Sequence, residues 1–357
     1  MSTMNFAVNA TALRKSGALT ILKQFVSKAA DTNHNFIIFV SSDVEVASGP
    51  NVEFVKVKPK NWLGRILWDF YGFNSALKRY RFKIDKVISL QNTSVNVTYP
   101  QIIYVHQPIP FSNIHWDILS KEGFKFWLYK NFYSFFIFIY SRKDTRYFVQ
   151  TEWMRESISN NYKVERNNIF ISKPDISLPV CDSSPVMDEN RIVLIYPATY
   201  IGYKNHIIIL KALSILKEEH GLSEAQLTFQ VTFDDKSFSK FNEVAKSLGV
   251  LEFVENLGVI PYDALIEQYK KASFLVFPSY LETYGLPLAE AATLGKPILS
   301  ADLPYSRDVL KGYSGVKFIS YNSAESWAES IINNKMSKFY SWSEPERPTW
   351  DNFFDNL

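Results

Sequence analysis

The chain has 357 residues, beyond the size at which a single hydrophobic core usually stops growing, so two domains of ordinary size are expected. Its 46% apolar and 21% charged composition is that of a globular protein, and a single cysteine, Cys181, excludes an intramolecular disulfide framework and a cysteine-based zinc site. The net charge of +3 conceals a division: residues 1–180 carry 23 lysines and arginines against 13 acids, and residues 181–357 carry 16 against 23, so the first half is set to meet something anionic.

In chain order, short runs rich in β-branched and aromatic residues alternate with helix-like stretches. Strands are expected at Asn35–Ser41, 86–90, Gln101–Val105 and 146–150, with helices over 18–29, 121–139 and 152–160. Such alternation argues for a parallel sheet covered on both faces. A polar stretch from Lys173-Pro174-Asp175 to Asp188-Glu189-Asn190, with three prolines and little periodicity, reads as a linker. The pattern then restarts: strand Ile192–Tyr196, helix 206–219, strand 226–232, helix 236–248, strand 252–256, helix 264–271 and strand Phe274–Phe277, followed by helices over 324–333 and 349–356. The expected domains are therefore 1–173, a linker 174–190, a second unit 191–340, and a terminal segment 341–357 whose helix can pack back on the first domain. The fold class is α/β, two Rossmann-like domains facing a deep interdomain cleft in which strand ends and helix N-termini converge on a phosphorylated ligand.

The opening residues, Met1 to Phe6, show no basic region followed by an apolar run, so no secretory leader is expected and the chemistry is placed in the cytoplasm. The longest apolar stretch, 132–140, falls well short of the roughly 18–20 residues that span a bilayer as a helix.

At Pro278-Ser279-Tyr280-Leu281-Glu282-Thr283-Tyr284-Gly285-Leu286-Pro287-Leu288-Ala289-Glu290 a strand ends, a loop turns and a helix begins. Pro287 suits the first helical position and Glu290 the first turn, where a carboxylate complements the positive helix end, while Glu282 stays on the loop. The two carboxylates can flank one pocket, with unpaired amides near Gly285 turned to an anion. Taken alone the spacing is weak, and a dipole-matching Glu290 with a solvated Glu282 accounts for it. In Tyr196-Pro197-Ala198-Thr199-Tyr200-Ile201-Gly202-Tyr203-Lys204-Asn205-His206, Lys204 stands at a strand-to-helix corner, where an ammonium can reach a diphosphate as a point charge. His106 follows strand Gln101–Val105 at the edge where open parallel sheets bind ligands. A lone lysine is as a rule solvated and a lone histidine structural, and His206 reads as a packing residue at a helix start.

The segment around Glu282 resembles the glutamate motif of retaining glycosyltransferases of family 4: a strand, Pro-Ser, Glu-x-Phe-Gly-Leu-Pro, then Glu-Ala within a helix. The resemblance implies the GT-B fold and a metal-independent, retaining transfer of a hexosyl or deoxyhexosyl group from a nucleotide-sugar donor to a glycan. It gives Glu282 the donor sugar near the reacting carbon, and Glu290 the nucleotide ribose. Thr283, Gly285 and Leu286 would line the sugar and phosphate with backbone groups, and Tyr284 stands where the family usually has phenylalanine. Lys204 falls on the phosphate-binding lysine. Five residues earlier Thr199 replaces the usual arginine, which leaves part of the diphosphate grip to other groups. His106 is implied at the junction of donor and acceptor, completing a catalytic set of Glu282, His106 and Lys204.

Arg14-Lys15-Ser16-Gly17-Ala18, with its single Gly17, is less closely similar to the glycine loop that approaches the donor phosphates from the opposite domain. Leu257-Gly258-Val259-Ile260-Pro261-Tyr262 resembles the loop whose backbone recognises the base, which places Ile260 on the nucleotide. The implied route is front-face attack with a donor phosphate oxygen taking the acceptor proton, so no cofactor and no metal are implied and the nucleotide-sugar is a substrate. Related sequences often serve bacterial O-antigen or capsule assembly. That implies a lipid-linked oligosaccharide acceptor and work at the inner face of the bacterial plasma membrane, and no nucleic-acid partner.

Trp62-Leu63-Gly64-Arg65-Ile66-Leu67-Trp68 and Phe124-Lys125-Phe126-Trp127-Leu128-Tyr129-Lys130 mix large rings with basic residues. They fit either peripheral contact with an anionic membrane or two ordinary core helices with solvated lysines. Two rival readings share the architecture: a catalytically impaired subunit, prompted by Thr199 and the single glycine, and a sugar-nucleotide epimerase.

Overall fold

The computed structural model describes every residue except 1–2, 46–48, 59–60, 81–82, 177, 179–190, 334–338 and 345. Cys181 and most of the expected linker, 174–190, lie outside the described residues. The chain divides into two compact units, Met1–Asp175 with Arg347–Leu357, and Ile176–Glu346. The terminal segment expected at 341–357 is thereby shared between them.

In the first unit seven parallel strands are β1 (Asn5–Asn9), β2 (Asn35–Ser41), β3 (Val52–Val57), β4 (Lys86–Ser89), β5 (Gln101–Val105), β6 (Arg146–Val149) and β7 (Ile169–Ile171), in the order β3-β2-β1-β4-β5-β6-β7. Its helices include α1 (Ser16–Ala30), α2 (Trp62–Leu67), α3 (Phe73–Leu77), α4 (Lys121–Phe138) and α5 (Glu152–Tyr162), with a π-helical segment, Trp68–Gly72, joining α2 to α3. The second unit has six parallel strands, β8 (Ile192–Tyr196), β9 (Leu227–Val231), β10 (Val254–Asn256), β11 (Phe274–Phe277), β12 (Ile298–Ala301) and β13 (Val316–Ile319), ordered β10-β9-β8-β11-β12-β13. Around it lie α6 (His206–His220), α7 (Asp235–Ser247), α8 (Tyr262–Lys271), α9 (Leu286–Thr293), α10 (Pro304–Val309) and α11 (Ala324–Ile332), while α12 (Trp350–Asp355) belongs to the first unit. Both sheets reverse their winding beside their first strand, between β1 and β4 and between β8 and β11. At such a switch point a crevice opens at the carboxyl ends of the strands.

Continuous apolar runs such as Phe36 to Val40 make strands buried on both faces, as parallel sheets require. Beneath β1 and β2, α1 contributes Leu22, Phe25 and Ala29 to a core that also holds Phe6, Phe36, Tyr104 and Phe148. α12 completes it. Trp350 and Phe353 are wholly buried there, with the Trp350 ring stacked 4.9 Å from Tyr104 and its Nε1–H donated to Gln24 at 2.9 Å.

The two aromatic clusters do not behave as ordinary core helices. α2 buries none of its residues, and Trp62, Leu63 and Leu67 are more than half exposed. α4 buries Gly123, Phe126, Tyr133 and Ile137 but leaves Phe124, Phe132 and Phe135 about half exposed. The rings are therefore divided: Trp68 and Tyr133 are buried in two further core clusters of this unit, while Trp62, Phe124, Phe132 and Phe135 form an exposed surface. Among the described residues no helix is long and apolar enough to cross a membrane.

Removing the Trp350 indole leaves a cavity in the first unit and takes from the Gln24 side-chain oxygen one of its two donors, the other being the Asp175 amide. Trp350→Ala is expected to cost about 3–5 kcal/mol, read as a shift of the urea transition to lower concentration; an unshifted transition contradicts this packing.

Candidate active site

The second unit builds its site at the switch point from two loops, 197–205 after β8 and 278–285 after β11. Tyr196, the last residue of β8, is wholly buried and donates its hydroxyl to the carbonyl of Lys204 at 3.0 Å, which fixes the 3₁₀ turn Gly202–Lys204. Asn205 takes the left-handed conformation (φ 58°) that ends the turn, and its Nδ2 donates to the Pro278 carbonyl at 3.2 Å and the Tyr321 carbonyl at 2.8 Å. The Tyr280 amide and the Ser279 hydroxyl both donate to the Tyr203 carbonyl, at 2.9 and 3.2 Å. Two loops distant in sequence are thus fastened to each other by main-chain groups.

Where they meet, Lys204 Nζ is ion-paired with Glu282 Oε1, the side chains only 17% and 12% exposed. Glu282 is therefore a shielded, neutralised carboxylate, not a solvated loop acid. Just beyond, Gly285 has φ +84°, a left-handed conformation that favours glycine, and a Cβ there would sit closely against Leu288 at 3.3 Å and the Phe277 ring at 3.4 Å. α9 starts at Leu286 with Pro287, which has no N–H, at its second position; no side chain caps it, and the Leu288 amide donates to the Gly285 carbonyl at 2.9 Å.

Glu290 departs from expectation. It is the fifth residue of α9, past the turn where a carboxylate meets the helix dipole, and it is buried. Its Oε1 accepts from Tyr262 at 3.2 Å and its Oε2 from the wholly buried Tyr269 at 3.0 Å. Burial pushes its carboxyl above the ordinary range, and the two phenol donors act against that rise. Tyr284 is buried with its hydroxyl donated to Glu344 Oε1 at 3.0 Å, which gives the polar tip a partner that phenylalanine would not use.

Of the other expected residues in this unit, Thr283 and Leu286 are half-buried on the same loop and helix start, Thr199 is exposed on the loop after β8, and Ile260 is half-buried just before α8. His206 opens α6 and is packed among aromatic rings, 4.4 Å from Tyr196 and 4.9 Å from Phe233, so burial lowers its pKa to about 3 and keeps it neutral.

Two expected residues belong to the first unit. His106 follows β5; its ring Nε2 lies 2.9 Å from the Leu90 carbonyl and so carries the proton it donates there, its amide donates to Asn92 Oδ1, and burial lowers its pKa. Gly17 is exposed within the first turn of α1, not in the loop before it, and a Cβ there would meet nothing within 4 Å. The structure thus joins Lys204 to Glu282 and sets Glu290 on the helix that follows. Sequence reasoning passed over Tyr269 and Glu344 and took Tyr262 only as the end of the loop assigned to the base; the two tyrosines' only signal would have been a polar tip on an otherwise apolar side chain. Among the described residues no group of three His, Cys, Asp or Glu side chains is placed to hold a metal ion.

Residues 182–335 match the family model described as Glycosyl transferases group 1. The chain is 34% identical over 90 residues to a D-inositol 3-phosphate glycosyltransferase of Nocardia farcinica, a match covering 25% of this chain and only 20% of that protein. It is 20% identical over 269 residues to the O-antigen chain mannosyltransferase RfbU of Salmonella typhimurium, covering 75% of this chain and 70% of the relative. Among solved structures it is similar to WaaG, a glycosyltransferase involved in lipopolysaccharide biosynthesis, with a TM-score of 0.64 at 16% identity over 92% of this chain and 89% of that one. The fold is that of GT-B glycosyltransferases, two Rossmann-like parallel-sheet units.

The pairing of Glu290 with Tyr269 generates a stability test. Tyr269→Phe leaves a buried carboxylate oxygen without its donor, at a cost of about 1–3 kcal/mol. Because the folded-state pKa of Glu290 is raised, the native state holds its proton more tightly than the unfolded chain, so this group's contribution falls as pH rises above 4.5. The variant raises that pKa further, and its deficit in melting experiments is expected to be larger at pH 7 than at pH 4.5; a deficit independent of pH overturns the assignment.

Proposed function

We propose that this chain is a glycosyltransferase that moves a sugar from a nucleotide-sugar to a glycan with retention of anomeric configuration, in the manner of family 4. The observation that carries the reading is the Lys204–Glu282 pair at the switch point of the second sheet, directly before a helix that begins at a glycine in the left-handed conformation. A diphosphate needs concentrated positive potential as it leaves, and an ammonium beside the N-terminus of α9 supplies it. Glu282, released from Lys204 by the incoming phosphates, is then free to accept hydroxyls of the donor sugar and to stabilise the positive charge that develops at its reacting carbon. Glu290 accepts the ribose hydroxyls, Ile260 and its loop offer backbone groups to the base, and Thr199 contributes a hydroxyl where an arginine is usual. No metal or cofactor enters this scheme.

The acceptor we assign is a lipid-linked oligosaccharide of the O-antigen or capsule kind, handled at the cytoplasmic face of a membrane. Support comes from the relative named as an O-antigen chain mannosyltransferase and from the exposed rings of α2 and α4, interleaved with Lys121, Lys125 and Lys130 in the basic half of the chain.

A panel of UDP-, GDP- and dTDP-sugars is expected to contain at least one member that raises the melting temperature, the gain being about 2.7 kcal/mol at a hundredfold excess over Kd. Glu282→Ala should abolish transfer while the fold is retained by circular dichroism; turnover equal to the parent's removes the role given to Glu282. In liposome flotation, recovery with the vesicles is expected to rise with anionic lipid content, and recovery indifferent to it would remove the membrane component.

A further inference from the structure

The first unit holds a polar slot that the transfer chemistry assigned above does not use. It lies at that unit's own switch point, where Asn9 ends β1 and Gln91 and Thr93 follow β4. Asp69, inside the π-helical segment, is buried against all three. Its Oδ1 accepts from Asn9 Nδ2 at 2.9 Å and Gln91 Nε2 at 2.8 Å, and its Oδ2 accepts from the Thr93 hydroxyl at 2.8 Å. The supporting amides are themselves held, Asn9 by the indole N–H of Trp68 at 3.0 Å and Gln91 by the Thr11 hydroxyl and the Ala12 amide at 3.1 and 3.0 Å. Burial pushes the Asp69 carboxyl up to about 6, against the pull of those donors and of nearby Arg65. π-helical turns are rare and concentrate at functional sites, and this one sets an expensive carboxylate at a ligand-binding edge.

Arg65, one turn earlier, lines the same slot beside the buried Tyr133, and its Nε is buried with no hydrogen-bond partner among the described residues. Trp62, Ile66, Tyr129 and Phe136 form the walls. A carboxylate oxygen accepts two hydrogen bonds, and Oδ2 of Asp69 uses one of them on Thr93. The slot, about 20 Å³ in volume, therefore sets an acceptor beside a cation that also hydrogen-bonds Tyr133, and under its aromatic rim it admits a group no larger than a hydroxyl. A phosphate would meet the Asp69 carboxylate, and an apolar group would leave both polar atoms unsatisfied. A hydroxyl both donates and accepts, and the C–H edge of a sugar ring suits the negative face of an aromatic ring.

We propose that this slot is a carbohydrate subsite: it takes a hydroxyl of a neutral sugar residue between Asp69 and Arg65, with the sugar ring lying against Trp62. Its role as the acceptor's subsite rests on the glycosyltransferase reading; its affinity for sugar does not.

The test is a titration of the intact chain with methyl α-glucoside, α-mannoside, α-galactoside and α-N-acetylglucosaminide, followed by saturation-transfer NMR and tryptophan fluorescence, with inorganic phosphate in parallel. At least one glycoside is expected to bind saturably, and both Arg65→Gln and the surface variant Trp62→Ala should weaken it by about tenfold or more while leaving nucleotide-sugar stabilisation unchanged. Binding that survives both variants, saturation by phosphate in place of a glycoside, or saturation by none of the glycosides overturns the proposal. Nucleotide-sugar stabilisation without glycoside binding sinks the slot and spares the transferase; glycoside binding lost in the variants, with no nucleotide-sugar ever stabilising the protein, does the reverse.

Discussion

Lys204 and Glu282 stand 78 residues apart in sequence, and the second unit is arranged to bring them together with little water around either. Withdrawing two charges from solvent costs several kcal/mol each, and their attraction offsets that only when the geometry is held. The holding is done by neutral groups: the Tyr196 hydroxyl on the Lys204 carbonyl, the Asn205 side chain on Pro278 and Tyr321, and the Tyr203 carbonyl under Ser279 and Tyr280. Even the glycine at the head of α9 belongs to this frame, since its left-handed φ of +84° would strain any other residue there. On the proposed reading, an incoming anion takes the place of Glu282 on the same ammonium, so the pocket is neutral until it fills.

The two sheets share a winding and differ in what they place at the reversal. In the second unit the crevice is lined by a cation and an anion that neutralise each other. In the first, a single carboxylate is dispersed over the amides of Asn9 and Gln91 and the hydroxyl of Thr93, with Arg65 at its side. The topology supplies a crevice and the side chains decide its chemistry, so equivalent positions in the two units carry no equivalent residues.

Much of the architecture was legible in the sequence because buried parallel strands read as unbroken apolar runs, as in Phe36 to Val40 or Phe274 to Phe277. β1, β3, β7, β12 and β13 were missed. β1 has three apolar residues between two asparagines, and β3 carries Glu53 and Lys56 near the edge of its sheet, so neither shows a run long enough to stand out. At the site, the order strand, loop, glycine, helix could be read locally, because proline and glycine act on their own backbone. The surroundings of Glu290 could not: its partners Tyr262 and Tyr269 lie 28 and 21 residues away, on a helix brought alongside only by the fold. The same limit hid Glu344 from Tyr284. The aromatic clusters stayed open between two readings for a different reason, since a helix facing a core and a helix facing outward repeat their apolar residues with one period.

The placement of α12 sets an order of events on the ribosome. The first sheet has all its strands by Ile171, yet its core is filled by Trp350 and Phe353. At synthesis rates of about 5–20 residues per second, the faces of Phe25, Tyr104 and Phe148 wait on the order of 10–40 s for their last neighbours. The second unit, encoded without interruption from Ile176 to Glu346, meets no such delay. The unit begun first is the one finished last, and during that interval its unfilled core is the part of the nascent chain most in need of a chaperone.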